Sequence, residues 1–130
     1  MLPKSESLKE RYLFNLAFKK KQKVSSRLIS LYYLFLDKKR YENSKSLEFF
    51  PKVAFVVSTK IDKRATLRNL IKRRMKASYK AIKANSEAIK KDKLLALIWI
   101  ANIDIKDSKF AEIKFSMENL LNKLNQVVSN

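Results

Sequence analysis

From Leu8 to about Lys20 the apolar residues recur at helical steps. Ser7 stands where an N-cap belongs, with Glu10 three residues later as in a capping box and Pro3 outside the helix. The period then changes. Arg27 to Leu36 (RLISLYYLFL) is aromatic and β-rich, which predicts a strand buried on much of both faces. Asp37 to Phe50 is polar and irregular, as in a hairpin-type connection. Lys52 to Thr59 (KVAFVVST) predicts a second strand, with Pro51 at its entry where a missing donor is tolerated. Thr66 to about Lys90 returns to the helical period, and Leu94 to Ala101 (LLALIWIA) reads as a strand buried on both faces. Asp107 to about Val127 is helical again, with Phe110, Ile113, Met117, Leu120, Leu121 and Leu124 on its apolar stripe and Ser108 as the cap. The predicted order is therefore α-β-β-α-β-α, and the strand–helix–strand unit from 52 to 101 predicts a parallel pair. Neither an internal repeat nor a linker interrupts it. A single α+β domain over residues 1–130 is expected, with flexible ends near 1–6 and 126–130.

Composition narrows the chemistry. The chain of 130 residues has no His, no Cys and no Gly. It therefore lacks thiol and imidazole catalysis, disulfides, the common zinc ligands and every Gly-rich phosphate loop. With 46% apolar residues and 11% aromatics it can build a core, so disorder is not the expected state. The apolar run at 94–101 is far short of the roughly 20 residues a membrane span needs. The N-terminal MLPKSESLKER lacks the apolar stretch of a signal peptide, and a cytoplasmic protein is expected.

The charge is the positive evidence. Thirty Lys and Arg against twelve Asp and Glu give +18. Residues 9–27 carry seven basic groups against Glu10, or +6, and residues 60–83 carry ten against Asp62, or +9. Two concentrated segments form a binding footprint for a polyanion, with nucleic acid ahead of an acidic membrane surface.

The second segment is a helix with two unlike sides. At about 100° per residue, Leu67, Leu70, Ile71, Met75, Ser78, Ala81 and Ile82 share one arc. Arg68, Asn69, Lys72, Arg73, Lys76, Lys80 and Lys83 fill the other, and Arg74 falls on the apolar side, where it has to snorkel past the core edge. A solvated helix face ordinarily mixes signs to gain i,i+4 pairs. No acidic residue lies between Lys63 and Lys83, so a phosphate backbone is the better match for this face.

Phe55–Val57, Ser58-Thr59-Lys60, Ala65 and then Arg68-Asn69-Leu70-Ile71-Lys72-Arg73-Arg74-Met75-Lys76 resemble the bacterial ribonuclease P protein component. That family carries a strand ending in Ser-x-Lys, a short loop, and Arg-Asn-x-x-Lys-Arg-x-x-Arg/Lys on a helix. Leu2-Pro3-Lys4, Leu8, Phe14, Phe18, Val24, Arg27 and Tyr32 fall in the family's order and spacing, so the resemblance covers nearly the whole chain. Two departures stand out. The family loop before the helix normally contains Gly, whereas Asp62-Lys63-Arg64 fills it here with one extra residue, and a different loop path is expected. The 37–50 connection is also longer than usual.

The resemblance implies an α-β-β-α-β-α fold related to a ribosomal-protein domain, with a left-handed β-α-β crossover. It implies that the polypeptide has no catalytic residue and binds no cofactor or metal. On the same resemblance, a ribonuclease P RNA subunit, paired 1:1 with the protein, is expected to cleave the 5′ leader from precursor tRNA with Mg2+. On this basis Lys60, Arg64, Arg68, Asn69, Lys72, Arg73 and Lys76 are expected to bind the RNA subunit. Phe14, Phe18, Tyr32, Ser58 and Lys60 are expected to line the leader cleft, where single strands are held by stacking and cationic groups. Spacing alone instead places Phe14 and Phe18 in the core. The alternatives are a ribosomal or ribosome-assembly RNA-binding protein without a nuclease partner and, less well matched, a helix-turn-helix DNA binder.

Overall fold

The fold is that of a computed structural model, which describes residues 11–35, 52–83 and 94–129. Helix α1 (Arg11–Lys20) is followed by strands β1 (Lys23–Ser25), β2 (Ile29–Phe35) and β3 (Lys52–Val56), then helix α2 (Ala65–Ile82), strand β4 (Leu94–Ala101) and helix α3 (Phe110–Ser129). One sheet carries the strands in the order β1-β2-β4-β3. β4 is antiparallel to β2 and parallel to β3, the parallel pair expected from the strand–helix–strand unit. Because β4 lies between β2 and β3, the segment joining those two does not close a hairpin, contrary to the expectation. The proposed Ser7 and Glu10 cap, Pro51 and helical residues 84–90 lie outside the described residues.

β1 is an element the pattern did not reveal. Three residues, two of them exposed, have no legible period. A Gly-free turn defines the strand instead. The Ser26 hydroxyl donates to the Ile29 carbonyl at 3.0 Å and accepts the Ile29 N–H at 3.2 Å, closing the β1–β2 hairpin. Asn102, just past β4, then ties this turn down. Its side-chain amide donates to the Ser26 carbonyl and its main-chain N–H to the Leu28 carbonyl, both at 2.9 Å.

Alternation along the strands assigns the two faces of the sheet. Leu31, Tyr33, Val53, Leu97 and Trp99 point to one side, where α2 and α3 cover them and form the main core. Leu34, Ala96 and Ile98 point to the other, against α1, with Tyr32, Ala54, Val56 and Ile100 packed there only in part. α1 packs on β2 and β4, so this second face is covered near the middle of the sheet and less so at its edges, where Lys23 and Ser25 of β1 are exposed and Ala54 and Val56 of β3 half-buried.

The last helix starts one residue later than the cap assignment implied. Lys109 supplies the carbonyl for the first helical bond, and the Glu112 carboxylate accepts the Lys109 N–H at 3.2 Å. Ser108 is buried and donates back to the Asp104 carbonyl at 3.3 Å, so it does not cap. Phe110 is 42% exposed. Helical side chains lean toward the N-terminus, and at the first residue there is no preceding turn to meet.

With no Gly in the chain, a left-handed position must be taken by another residue. Lys21, where α1 ends, has φ 54° and donates its N–H to the Ala17 carbonyl at 3.2 Å. A Cβ in that region costs about 1–2 kcal/mol, partly offset in Gly by the entropy of the unfolded chain. Lys21→Gly is expected to raise unfolding free energy by about 0.5–1 kcal/mol in urea, and Lys21→Ala to give no gain.

Candidate nucleic-acid interface

The basic helix keeps its charge out of the core. Ile71, Met75, Ser78, Tyr79 and Ile82 of α2 are buried. Arg68, Lys72, Lys76 and Lys83 are half-buried, and Asn69, Arg73 and Lys80 exposed, so none of the cationic arc is buried. The core stripe itself is rotated from the one expected. Tyr79 is buried and Ala81 exposed, because the Tyr79 ring packs between Phe55, at 5.9 Å, and Trp99, at 6.1 Å. Arg74 does not end in solvent. Its Nη1 donates to the Ser108 carbonyl at 3.0 Å and ties α2 to the loop before α3.

The loop entering α2 does take a path that needs no Gly. Among the described residues Lys21 alone has positive φ, and Arg64, the N-cap of α2, has φ −76° and ψ 120°. Asp62 shapes the bend by accepting the Arg64 N–H at 2.8 Å. Arg64 returns its guanidinium to the same carboxylate through Nε and Nη2, both at 3.1 Å. These side-chain bonds, more than any other cause, hold the Asp62 carboxyl well below the usual carboxylate range. The Arg64 main-chain bond and Lys106 act the same way against the opposing effect of burial, and the pairing pushes the Arg64 guanidinium upward.

Phe14, Phe18 and Tyr32 come together on the open sheet face. Phe18 meets the Tyr32 ring edge-on with centroids 5.0 Å apart, and Phe14 lies 6.5 Å from Phe18. Phe14 is half-buried against the smaller cluster, whereas Phe18 is 40% exposed. The core placement suggested by spacing alone thus fits neither ring fully. The strand register extends Tyr32 into a row of Lys23, Tyr32, Ile98 and Ala54, beside a second row of Ser25, Ser30, Ile100 and Val56. Lys23 holds its ammonium 5.7 Å from the Tyr32 ring centre, a cation–π contact that sequence reasoning missed. Ser58 and Lys60 are exposed in the turn after β3, closed by the Ile61 N–H on the Ser58 carbonyl at 3.1 Å. Among the described residues, no group of three or more His, Cys, Asp or Glu gathers to hold a metal ion, and no helix is long and apolar enough to cross a membrane.

A one-sided cationic helix on one side of the sheet, and on the other a face carrying exposed aromatic and cationic groups, define a small RNA-binding domain of the α+β class. Comparison with known proteins places it further. The family model for Ribonuclease P matches residues 2–125, and the chain belongs to that family, whose work is tRNA processing in partnership with the ribonuclease P RNA. The RNase P protein of Staphylococcus aureus superposes in one structure with TM-score 0.68 at 24% identity, covering 92% of this chain and 94% of that one. A second S. aureus structure gives 0.66 at 26% identity over 96% and 93%. The RNase P protein of Thermotoga maritima gives 0.68 at 19% identity, over 91% and 96%. No curated protein sequence matches.

Proposed function

We propose that the chain binds the ribonuclease P RNA through α2 and its entry loop, and the 5′ leader of precursor tRNA through the open sheet face. The RNA subunit cleaves, using the magnesium ions it holds, and the polypeptide supplies no catalytic group. One protein serves one RNA, in the cytoplasm. The observation that carries this reading is the cationic arc of α2, which stays out of the core from Arg68 to Lys83 without an acidic interruption. Arg68, Lys72, Arg73 and Lys76 meet phosphates there, and Asn69 adds a directional hydrogen bond. Phe18 and Tyr32 offer ring surface for unstacked leader bases, with Phe14 behind them and Lys23 near the strand's phosphates.

Reconstitution tests the whole reading. The purified chain is expected to restore precursor-tRNA cleavage by a bacterial ribonuclease P RNA at low magnesium, and to cleave nothing alone. No stimulation, or cleavage without RNA, overturns it. The cleft is tested separately by joint Phe14→Ala and Phe18→Ala substitution. Lost stacking is expected to weaken binding of leader-bearing precursor by about 10-fold or more, at about 1–3 kcal/mol per stacked base, while binding of leaderless tRNA stays unchanged. An unaltered dependence on leader length in the folded variant removes the assignment.

A further inference from the structure

Asp62 is the one acidic residue in the +9 segment, and its side chain is 5% exposed. Its two oxygens divide their partners. Oδ1 accepts the Arg64 N–H and Nε, and Oδ2 accepts Arg64 Nη2 and Lys106 Nζ, each of the last two at 3.1 Å. The main-chain carbonyl of Asp62 also accepts Arg68 Nη1 at 3.1 Å, and the same nitrogen reaches the Lys63 carbonyl at 2.8 Å. One residue therefore gathers cations from the loop, from the first turn of α2 and from the segment beyond β4. Lys106 lies outside both basic segments of the sequence, yet the fold brings it to the entrance of α2.

An acid within a surface that binds a polyanion repels the ligand unless it has another effect. Here the carboxylate lies beneath its partners, with the Arg64 side chain 68% and the Lys106 side chain 47% exposed above it. Free Arg and Lys side chains lose rotamer freedom on binding, and a bond that holds them beforehand removes part of that loss. We propose that Asp62 is a positioning residue for RNA binding: its carboxylate fixes Arg64 and draws Lys106 into the same cationic edge, and the bend it shapes presents the Asp62 and Lys63 carbonyls that hold Arg68 at the entrance to α2. This inference rests on the docking of RNA on α2 proposed above.

The sign of one substitution separates positioning from simple electrostatics. Asp62→Asn raises the net charge by one, which by counterion release alone strengthens RNA binding. Loss of positioning weakens it instead, by about fivefold. The measurement is equilibrium binding of ribonuclease P RNA to the full chain, with circular dichroism to confirm folding and Lys72→Gln as the reference for α2 docking. Arg64→Lys keeps its charge but loses the two-pronged grip, and is expected to cost about as much as D62N. The double variant is expected to lose little beyond either single one. Should D62N melt below the assay temperature, Asp62→Glu, which keeps the charge but displaces the oxygens, takes its place in the same cycle and is expected to weaken binding too. Affinity equal to or tighter than wild type in the folded Asp62 variant, or losses that simply add, overturns the proposal. If Lys72→Gln changes nothing, the docking reading falls and the proposal with it; if Lys72→Gln weakens binding and the Asp62 variant does not, the Asp62 assignment alone falls.

Discussion

Joint replacement of Lys72, Arg73 and Lys76 by Gln is expected to weaken binding of ribonuclease P RNA by roughly 100-fold at physiological salt, with the fold intact. None of the three is buried, and all lie on the arc that the core stripe leaves free. Gln retains the aliphatic stem and a polar end, so the substitution removes charge with little change in packing. The loss follows from the counterions that each neutralised phosphate no longer releases. The plot of log Kd against log salt should therefore flatten by about 0.7–0.9 per lost contact, or roughly 2–3 in all. Helix stability is expected to hold or improve slightly, because Lys72 and Lys76 stand four apart and repel in the free protein. A variant with the wild-type salt slope would show that these groups do not meet phosphates.

The largest effect on stability is expected from Trp99→Ala. Trp99 is fully buried at the centre of β4, where its ring meets Tyr79 of α2 at 6.1 Å and its register partners are Leu31 and Phe55. Removing the indole leaves a void between the sheet and α2 at a cost of about 3–5 kcal/mol. That is a large share of the roughly 5–15 kcal/mol available to a domain of this size. The variant should unfold at markedly lower urea by circular dichroism. Trp99→Phe is expected to lose much less. Among the described residues the indole Nε1 has no hydrogen-bond partner, so the smaller apolar ring leaves a void but also removes an unpaired buried donor. Equal losses in the two variants would show that the indole's volume counts for little here.

Much of the candidate interface can be read along the chain because its signal is local. A helix period sorts Lys72, Arg73 and Lys76 from Ile71 and Met75 with no knowledge of neighbours. The parallel pairing of β3 and β4 follows in the same way from a helix between two apolar runs. Arg74 shows where this method stops. Its partner is the Ser108 carbonyl, 34 positions away, and no periodicity announces a contact of that kind. Tyr79 sits among cations on the helical wheel, and only Phe55 and Trp99 make it core. β1 escaped because its three residues pair with β2 through a turn built by Ser26 and held by Asn102, at a separation of 76 positions.

By itself, then, the chain determined the order of its main helices and strands, the two-sided character of α2 and the family to which it belongs. The first two depend on residue type and on spacings within a single helix or strand, and the third on the order of such motifs along the chain. Tertiary structure alone decided how Phe18, Tyr32 and Lys23 meet on the open face, which helix residues complete the core, and which cations meet at Asp62. Those outcomes depend on segments brought together by packing, so the partner of a residue such as Lys106 is set by the sheet and helices between them and not by its place in the sequence.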